Sequence, residues 1–358
     1  MKEARFRRTL GPSGVMLAAL LVAACSSGGP AARSTVGTPG RGAATTTTDA
    51  PTTTTTTAPP GPRPLPAPAA LTPFAPPPAP TDGTWTPAGR TVNGFPAVYE
   101  TRLVPPGGTA EAGIAWMDTN LLGAQLYSGS KSPGGGPYMF TAPVQAAQAA
   151  TLVAAFNGGF LMKDAGGGYV TEGRTIDPLV NGAASLVIHS DGSVNVGAWG
   201  TDVAMTPDVV AVRQNLVPLV EGGQPTAQAS NPNWLVWGAT CGVSSCSGPG
   251  IENQWRSGVG VTQGGALVYV AGPALDPLQL AQLLVQAGVA RGMELDINPS
   301  WPVFASYAPP TGAPAGPTNG SSMSPAADQG PATFFEAGWA RDFITMSART
   351  TAVSAPNG

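Results

Sequence analysis

Short apolar runs broken by glycine-rich turns fill the second two-thirds of the chain. "TLVAAF" (Thr151 to Phe156) has the length and content of a buried strand, and it stops at Asn157-Gly158-Gly159. "SLVIHSDGSVNVGAW" (Ser185 to Trp199) predicts a hairpin turning at Asp191-Gly192. "RSGVGVTQGGALVYVAG" (Arg256 to Gly272) predicts a second, turning at Gln263-Gly264-Gly265. A helix follows: Asp276 suits its cap and Pro277 its first turn. Leu280, Leu283, Leu284 and Ala287 make one apolar stripe, and Gly288 ends it. "TPDVVAVRQNLVPLV" (Thr206 to Val220) predicts another helix, with Pro207 near its start and Pro218 ending or kinking it. Hairpins mixed with helices predict an α+β fold: a mixed, largely antiparallel sheet with packed helices.

The first third has a different pattern. Arg5, Arg7 and Arg8 precede an apolar run from Val15 to Ala24, then Cys25, as in an export signal. "LVAAC" (Leu21 to Cys25) resembles the bacterial lipobox, which implies cleavage before Cys25 and a lipid on its sulfur; an ordinary secretory signal is the rival reading. From Ser26 to about Pro80 the chain is Thr, Pro, Ala and Gly, too poor in large apolar groups to offset ordering entropy. The expected organisation is a lipoprotein signal peptide over 1–24, a disordered tether over 25–82 and one domain over 83–358. Its expected place is the outer face of the bacterial cytoplasmic membrane, reached through the lipid on Cys25.

Charge and cysteines narrow the partners. A net charge of −3 with no basic stripe argues against nucleic acid. With Cys25 acylated, Cys241 and Cys246 in "CGVSSC" are close enough for a local disulfide. Zinc needs about four ligands and the chain has one histidine, so no metal is expected. His189, beside a turn and without a nucleophile motif near it, reads as a surface residue. The glycine pairs lack the strand-to-helix setting of a phosphate or dinucleotide loop, so no cofactor is expected.

Only 10% of the residues are charged, and two of them stand together in "GMELDIN". On a strand, Glu294 and Asp296 point to one face, roughly 6.5–7 Å apart at Cα, with Met293, Leu295 and Ile297 toward the core. Two such carboxylates suit glycosidic cleavage, one as proton donor and one as base or nucleophile. The alternative is structural: one of them pairs with an arginine such as Arg256 to hold strands together. Trp301, after Asn298-Pro299, offers a ring to the apolar face of a sugar. Glycines at 158 and 159 allow close backbone approach, Asn157 can donate and accept, and Arg256 matches phosphate with paired donors.

"AAFNGGF", "RSGVGVTQGGALVYVAG", the "LQLAQLLVQAG" helix and "GMELDIN", in that order, resemble the phosphodiester glycosidase family over roughly Ala154 to Asn298. The resemblance implies hydrolysis of a sugar-1-phosphodiester to free sugar and phosphomonoester, with an envelope glycan or sugar phosphate as partner. It implies that Asn157, Gly158 and Gly159 are the family's Asn-Gly-Gly turn, that Arg256 is its arginine before the glycine-rich strand, and that Asp296 is its Leu-Asp-Gly-Gly aspartate. Ile297 and Asn298 stand where the family pattern has two glycines. The expected site is therefore Glu294 and Asp296 as catalytic acids, with Asn157, Gly158, Gly159, Arg256, Asn298 and Trp301 binding substrate. The alternative function is a non-catalytic module that binds envelope glycan or protein on the same fold.

Overall fold

A computed structural model of the protein describes residues 63–75, 82–230, 237, 254–324 and 327–349. Cys25, Cys241, Cys246, the export signal and most of the Thr/Pro stretch lie outside the described residues. The N-terminal strands are β1 (Thr86–Ala88), β2 (Val98–Leu103), β3 (Ala112–Met117), β4 (Leu122–Tyr127) and β5 (Leu152–Asn157). The middle strands are β6 (Tyr169–Thr171), β7 (Arg174–Asp177), β8 (Ala184–His189), β9 (Val194–Ala198), β10 (Val209–Gln214), β11 (Val220–Glu221) and β12 (Gln224–Pro225). The last are β13 (Gln254–Thr262), β14 (Leu267–Leu275), β15 (Val289–Glu294), β16 (Phe304–Tyr307), β17 (Gly320–Ser322) and β18 (Phe343–Ala348). The α-helices are α1 (Ala146–Ala149), α2 (Met162–Ala165) and α3 (Pro277–Gln286).

The expected α+β class with packed helices is corrected. Of the described residues 39% are strand and 11% helix, so this is a β-rich fold. Its strands form three sheets, ordered β1-β2-β3-β14-β13-β15-β11-β12, β7-β6-β10-β8-β9 and β17-β16-β5-β18-β4, and the strand pairs within them are antiparallel. Among the described residues, α3 alone of the α-helices exceeds one turn. Among the described residues no helix is long and apolar enough to cross a membrane.

Both hairpins form as the turn residues require: β8 with β9 around Asp191-Gly192, and β13 with β14 around Gly264-Gly265. The predicted helix over Thr206 to Val220 is instead strand β10, paired with β6 and β8. Three of its residues, Val209, Val210 and Val212, are β-branched and favour an extended chain between two partners. Helix α3 forms where expected. Asp276 accepts from Gln279 N at 2.7 Å, and the Gln279 side chain returns to Asp276 N at 3.0 Å, a reciprocal cap at the N-terminus. Its leucines press onto β13 at Gly258, where an added Cβ would come within 3.2 Å of Leu280 and 3.3 Å of Leu284. Gly258 of "RSGVGV" thus lets the helix lie close to the sheet, while a Cβ on Gly260 would meet Val289, Arg291 and Gly292.

Two apolar clusters flank this large sheet. Val259, Val261, Met293 and Leu295 face one, shared with β4, β5 and β18. Leu280, Leu283, Leu284, Trp116 and Trp237 form the other, under α3. Residues 63–75 come from the stretch read as a tether, and they lie along the domain. Leu65, Leu71 and Phe74 pack on the α3 cluster. Leu65 N donates to Asp118 Oδ2 at 2.7 Å, Trp85 Nε1 to Ala69 O at 2.9 Å and Gln286 Nε2 to Thr72 O at 2.7 Å.

Asp276→Ala removes the side-chain acceptor at the start of α3. The expected loss is about 1 kcal/mol, measured as a lower urea midpoint with an unchanged slope. An unchanged midpoint would show that the cap adds nothing here.

Candidate functional site

The sequence-predicted residues converge where the ends of β5, β13, β15 and β18 meet, but the two acids part company. Glu294 is the last residue of β15, opposite Gly258 on β13. Its carboxylate pairs with Arg256, and both side chains are fully enclosed. Arg256 Nε also donates to Leu275 O at 2.8 Å. Glu294 Oε2 has no partner. Burial pushes the Glu294 carboxyl above its usual range, and the Arg256 charge and hydrogen bond oppose it. The geometry is that of a brace between neighbouring strands, the structural alternative weighed from the sequence.

Asp296 lies two residues past β15, still bonded to β13: Ser257 N donates to its carbonyl at 2.8 Å. Strand alternation alone would send it after Glu294, but the chain turns at this point. Its carboxylate instead meets Arg341, just before β18. Oδ1 accepts from Ile297 N at 2.8 Å and from Asn298 N at 3.0 Å. Burial raises its pKa to about 6, against the lowering effect of Arg341 and these amides; nearby Asp342 adds to the rise. Arg341 also donates to Gly159 O at 2.9 Å, and its Cζ lies 4.9 Å from the centre of the Trp301 ring. Trp301 stands edge-on to Trp339 at 5.5 Å. Asn298 is exposed and holds the turn through Ser300 N, which donates to its Oδ1 at 3.0 Å.

The Asn-Gly-Gly turn sits against the same groups. Asn157 Oδ1 accepts from Tyr269 Oη at 2.6 Å and Val303 N at 3.1 Å, and its Nδ2 donates to Ser257 Oγ at 3.1 Å. The amides of Asn157 and Gly158 are spent on Val303 O and Asp342 O, at 3.1 and 2.8 Å. A Cβ on Gly158 would overlap the Asp342 carboxylate, and one on Gly159 would meet Asn215 and Arg213. These glycines make room for the protein's own polar groups.

Four residues of this cluster were missed from the sequence: Arg341, Asp342, Arg213 and Asn215. Arg213 Nε donates to Asp342 Oδ2 at 2.8 Å, with both side chains buried. Asn215 accepts from Phe160 N at 2.9 Å and donates to Glu294 O at 2.9 Å and Leu295 O at 3.1 Å, joining the turn to the acid-bearing segment. The signal for Arg341 and Asp342 was an acid–base dipeptide opening the run "FITM" in a chain poor in charge. Reading β10 as a helix hid Arg213 and Asn215. Among the described residues no three His, Cys, Asp or Glu side chains gather as a metal site. His189 is half-buried at the end of β8, 3.0 Å from Asp208 through Nδ1.

No family model and no curated protein matches the chain. Several solved structures are distantly similar. One is the zebrafish N-acetylglucosamine-1-phosphodiester alpha-N-acetylglucosaminidase catalytic domain, auto-inhibited by its pro-peptide: 14% identity, TM-score 0.42, covering 74% of this chain and 87% of that one. A hypothetical protein from Synechocystis has 13% identity and a TM-score of 0.37, over 74% of this chain and 64% of that one. A putative exported protein from Burkholderia pseudomallei has 12% identity and a TM-score of 0.35, over 66% and 74%.

Glu294→Gln leaves Arg256 charged in a closed interior, and the expected destabilisation is about 3–5 kcal/mol. Replacing both residues by apolar ones of similar volume should cost markedly less, as a double-mutant unfolding cycle would show; equal losses would refute the brace. The raised pKa of Asp296 means that the native state holds its proton after the unfolded chain has released it. Its contribution to stability is therefore full below about pH 4 and is lost as pH rises toward about 6. Unfolding free energies of wild type and Asp296→Asn, measured across that window, should differ by an amount that changes in this direction. A constant difference would contradict the raised value.

Proposed function

We propose that the protein is an exported hydrolase that cuts a sugar-1-phosphodiester into free sugar and phosphomonoester, with Asp296 as the group that handles the proton. One observation carries the reading: Asp296, buried but next in the chain to the half-buried Ile297 and the exposed Asn298, is held by Arg341 and two amides while burial lifts its pKa to about 6. A carboxyl poised near working pH can both hold and release a proton. Glu294 is enclosed, and in this reading it serves with Arg256 as the brace that fixes the segment leading to Asp296.

The other roles follow from position. Water adds to the anomeric carbon, the bond from that carbon to the bridging oxygen breaks, and the phosphomonoester leaves. Arg341 offsets the charge on the departing phosphate; its Nε has no partner within the protein. Trp301 lies against the apolar face of the sugar, and Asn157, Gly158, Gly159 and Asn298 frame the two charged groups. The order of motifs that resembles phosphodiester glycosidases supports the same chemistry. The domain works outside the cytoplasmic membrane, held through a lipid on Cys25, with Cys241 and Cys246 closing a local loop and an envelope glycan or sugar phosphate as partner.

A second reading, a non-catalytic module that binds envelope glycan, is favoured by one observation. Glu294, Asp296 and Asp342 each have an arginine of their own. Ile297 and Asn298, in place of glycines, support it too.

The two are separated by incubating the full chain with methyl N-acetylglucosamine-1-phosphate and related sugar-1-phosphodiesters, following release of reducing sugar. Hydrolysis should fall about 10²- to 10⁴-fold in Asp296→Asn, and the limb of the pH–rate profile near 6 should go with it. Full activity in that variant removes Asp296 from the chemistry. Binding of these esters without turnover in wild type selects the second reading.

A further inference from the structure

One cavity lies away from the acids, on the outer side of β4 and β18. Its volume is about 640 Å³, within the range of roughly 300–1,000 Å³ typical of small-molecule sites. The floor follows from strand alternation. Ala124, Leu126, Ile344 and Met346 point into the core, so Gln125, Tyr127, Thr345 and Ser347, the intervening residues, face the other way. One wall is the segment around α1, with Phe140 and Gln148. The opposite wall is the β8–β9 turn, with His189.

The chemistry of this lining is selective. Its charged groups are engaged by the protein. Arg349 donates to the carbonyls of Thr119, Leu122 and Asp191. Glu172 accepts from the amides of Met139 and Phe140 and lies 3.8 Å from Arg174. Asp191 accepts from Ser193 N at 2.8 Å, and His189 is tied to Asp208. What remains for a ligand is neutral: the amide of Gln148, the side-chain carbonyl oxygen of Gln125, whose Nε2 donates to Leu126 O at 3.1 Å, the hydroxyl of Ser347, and the ring of Phe140, edge to face with the buried Tyr127 at 5.6 Å. Tyr127 Oη and Gln148 Oε1 have no hydrogen-bond partner in the protein. Gln148 is half-buried on a one-turn helix, so its amide can swing toward a ligand without moving a strand. Neutral hydrogen-bonding groups beside an aromatic ring suit a ligand with many hydroxyls and an apolar face. The cavity's one arginine, Arg349, spends Nε and Nη1 on backbone carbonyls.

We propose that this cavity is a second binding site, for a short stretch of neutral saccharide. It is separate from the Asp296 cluster and stands whether or not that cluster hydrolyses anything. β18 connects the two places: Asp342 precedes its first residue, and Thr345 lies three residues further on, roughly 10 Å along an extended strand. A glycan held here would keep a polymeric ligand on the protein independently of the acid cluster.

His189, the chain's one histidine, lines the cavity and is a unique reporter. The test uses the full chain without a histidine tag and follows the imidazole C–H resonances by NMR. The probes are maltose and N,N′-diacetylchitobiose, with sodium phosphate as the charged comparator. A saturable shift with a disaccharide and none with phosphate is expected. Affinity should fall about five- to tenfold in Phe140→Ala, with a loss also in Gln148→Ala, each checked for folding by circular dichroism. Asp296→Asn should leave the shift intact. The proposal is overturned if no disaccharide moves the resonance, if phosphate alone does, if both wall variants bind as wild type, or if the shift disappears in Asp296→Asn.

Discussion

At the centre of the molecule three buried carboxylates each have a cation of their own, and this matching organises the strands around them. Three acids and three arginines meet at the converging ends of four strands: Glu294 with Arg256, Asp296 with Arg341, Asp342 with Arg213. Each pair joins chain segments that are far apart in sequence or belong to different strands. Removing one member leaves the other charged and unpaired, far costlier than the pair is worth. The order of strands around the centre is tied to this matching. So is the turn at Asn157: Gly158 and Gly159 are bare because Asp342, Arg213 and Asn215 occupy the space a side chain would fill.

The same matching separates two acids that look equivalent in the sequence. Glu294, on the α3 side of the large sheet, is closed in by the strand beside it. Asp296 leaves the strand, takes two backbone amides, and meets an arginine that also touches Trp301. Both are buried, but Glu294 is tied to an arginine on the adjoining strand, whereas Asp296 adjoins the exposed Asn298 and has its pKa lifted to about 6. Spacing in "ELD" shows two carboxylates, but only the turn after Glu294 distributes them between different arginines.

What was legible in the sequence was local. The turns at Asp191-Gly192 and Gly264-Gly265, the capped helix α3, and the Asn-Gly-Gly stop after β5 are each written in a few adjacent residues. What was not legible depends on distant partners. Val209 to Gln214 follow a proline suited to a helix start, and only their place between β6 and β8 makes them a strand; with that strand came Arg213 and Asn215. Arg341 is 45 residues from Asp296 along the chain, and nothing near either residue names the other. The helical content was overread because short apolar runs bounded by proline suit either state until neighbours decide.

The strap of residues 63–75 has a mechanical consequence. The chain enters the domain where Arg63 O and Leu65 N bond to Asn120 and Asp118, next to the turn at Gly265. Arg256 and Ser257 lie toward the other end of β13, whose nine residues run roughly 26 Å. A pull on the N-terminus is therefore delivered at the pole remote from the arginine pairs. A force entering at residue 63 would load Asp118, Trp85 and Gln286 first and spare the charged centre.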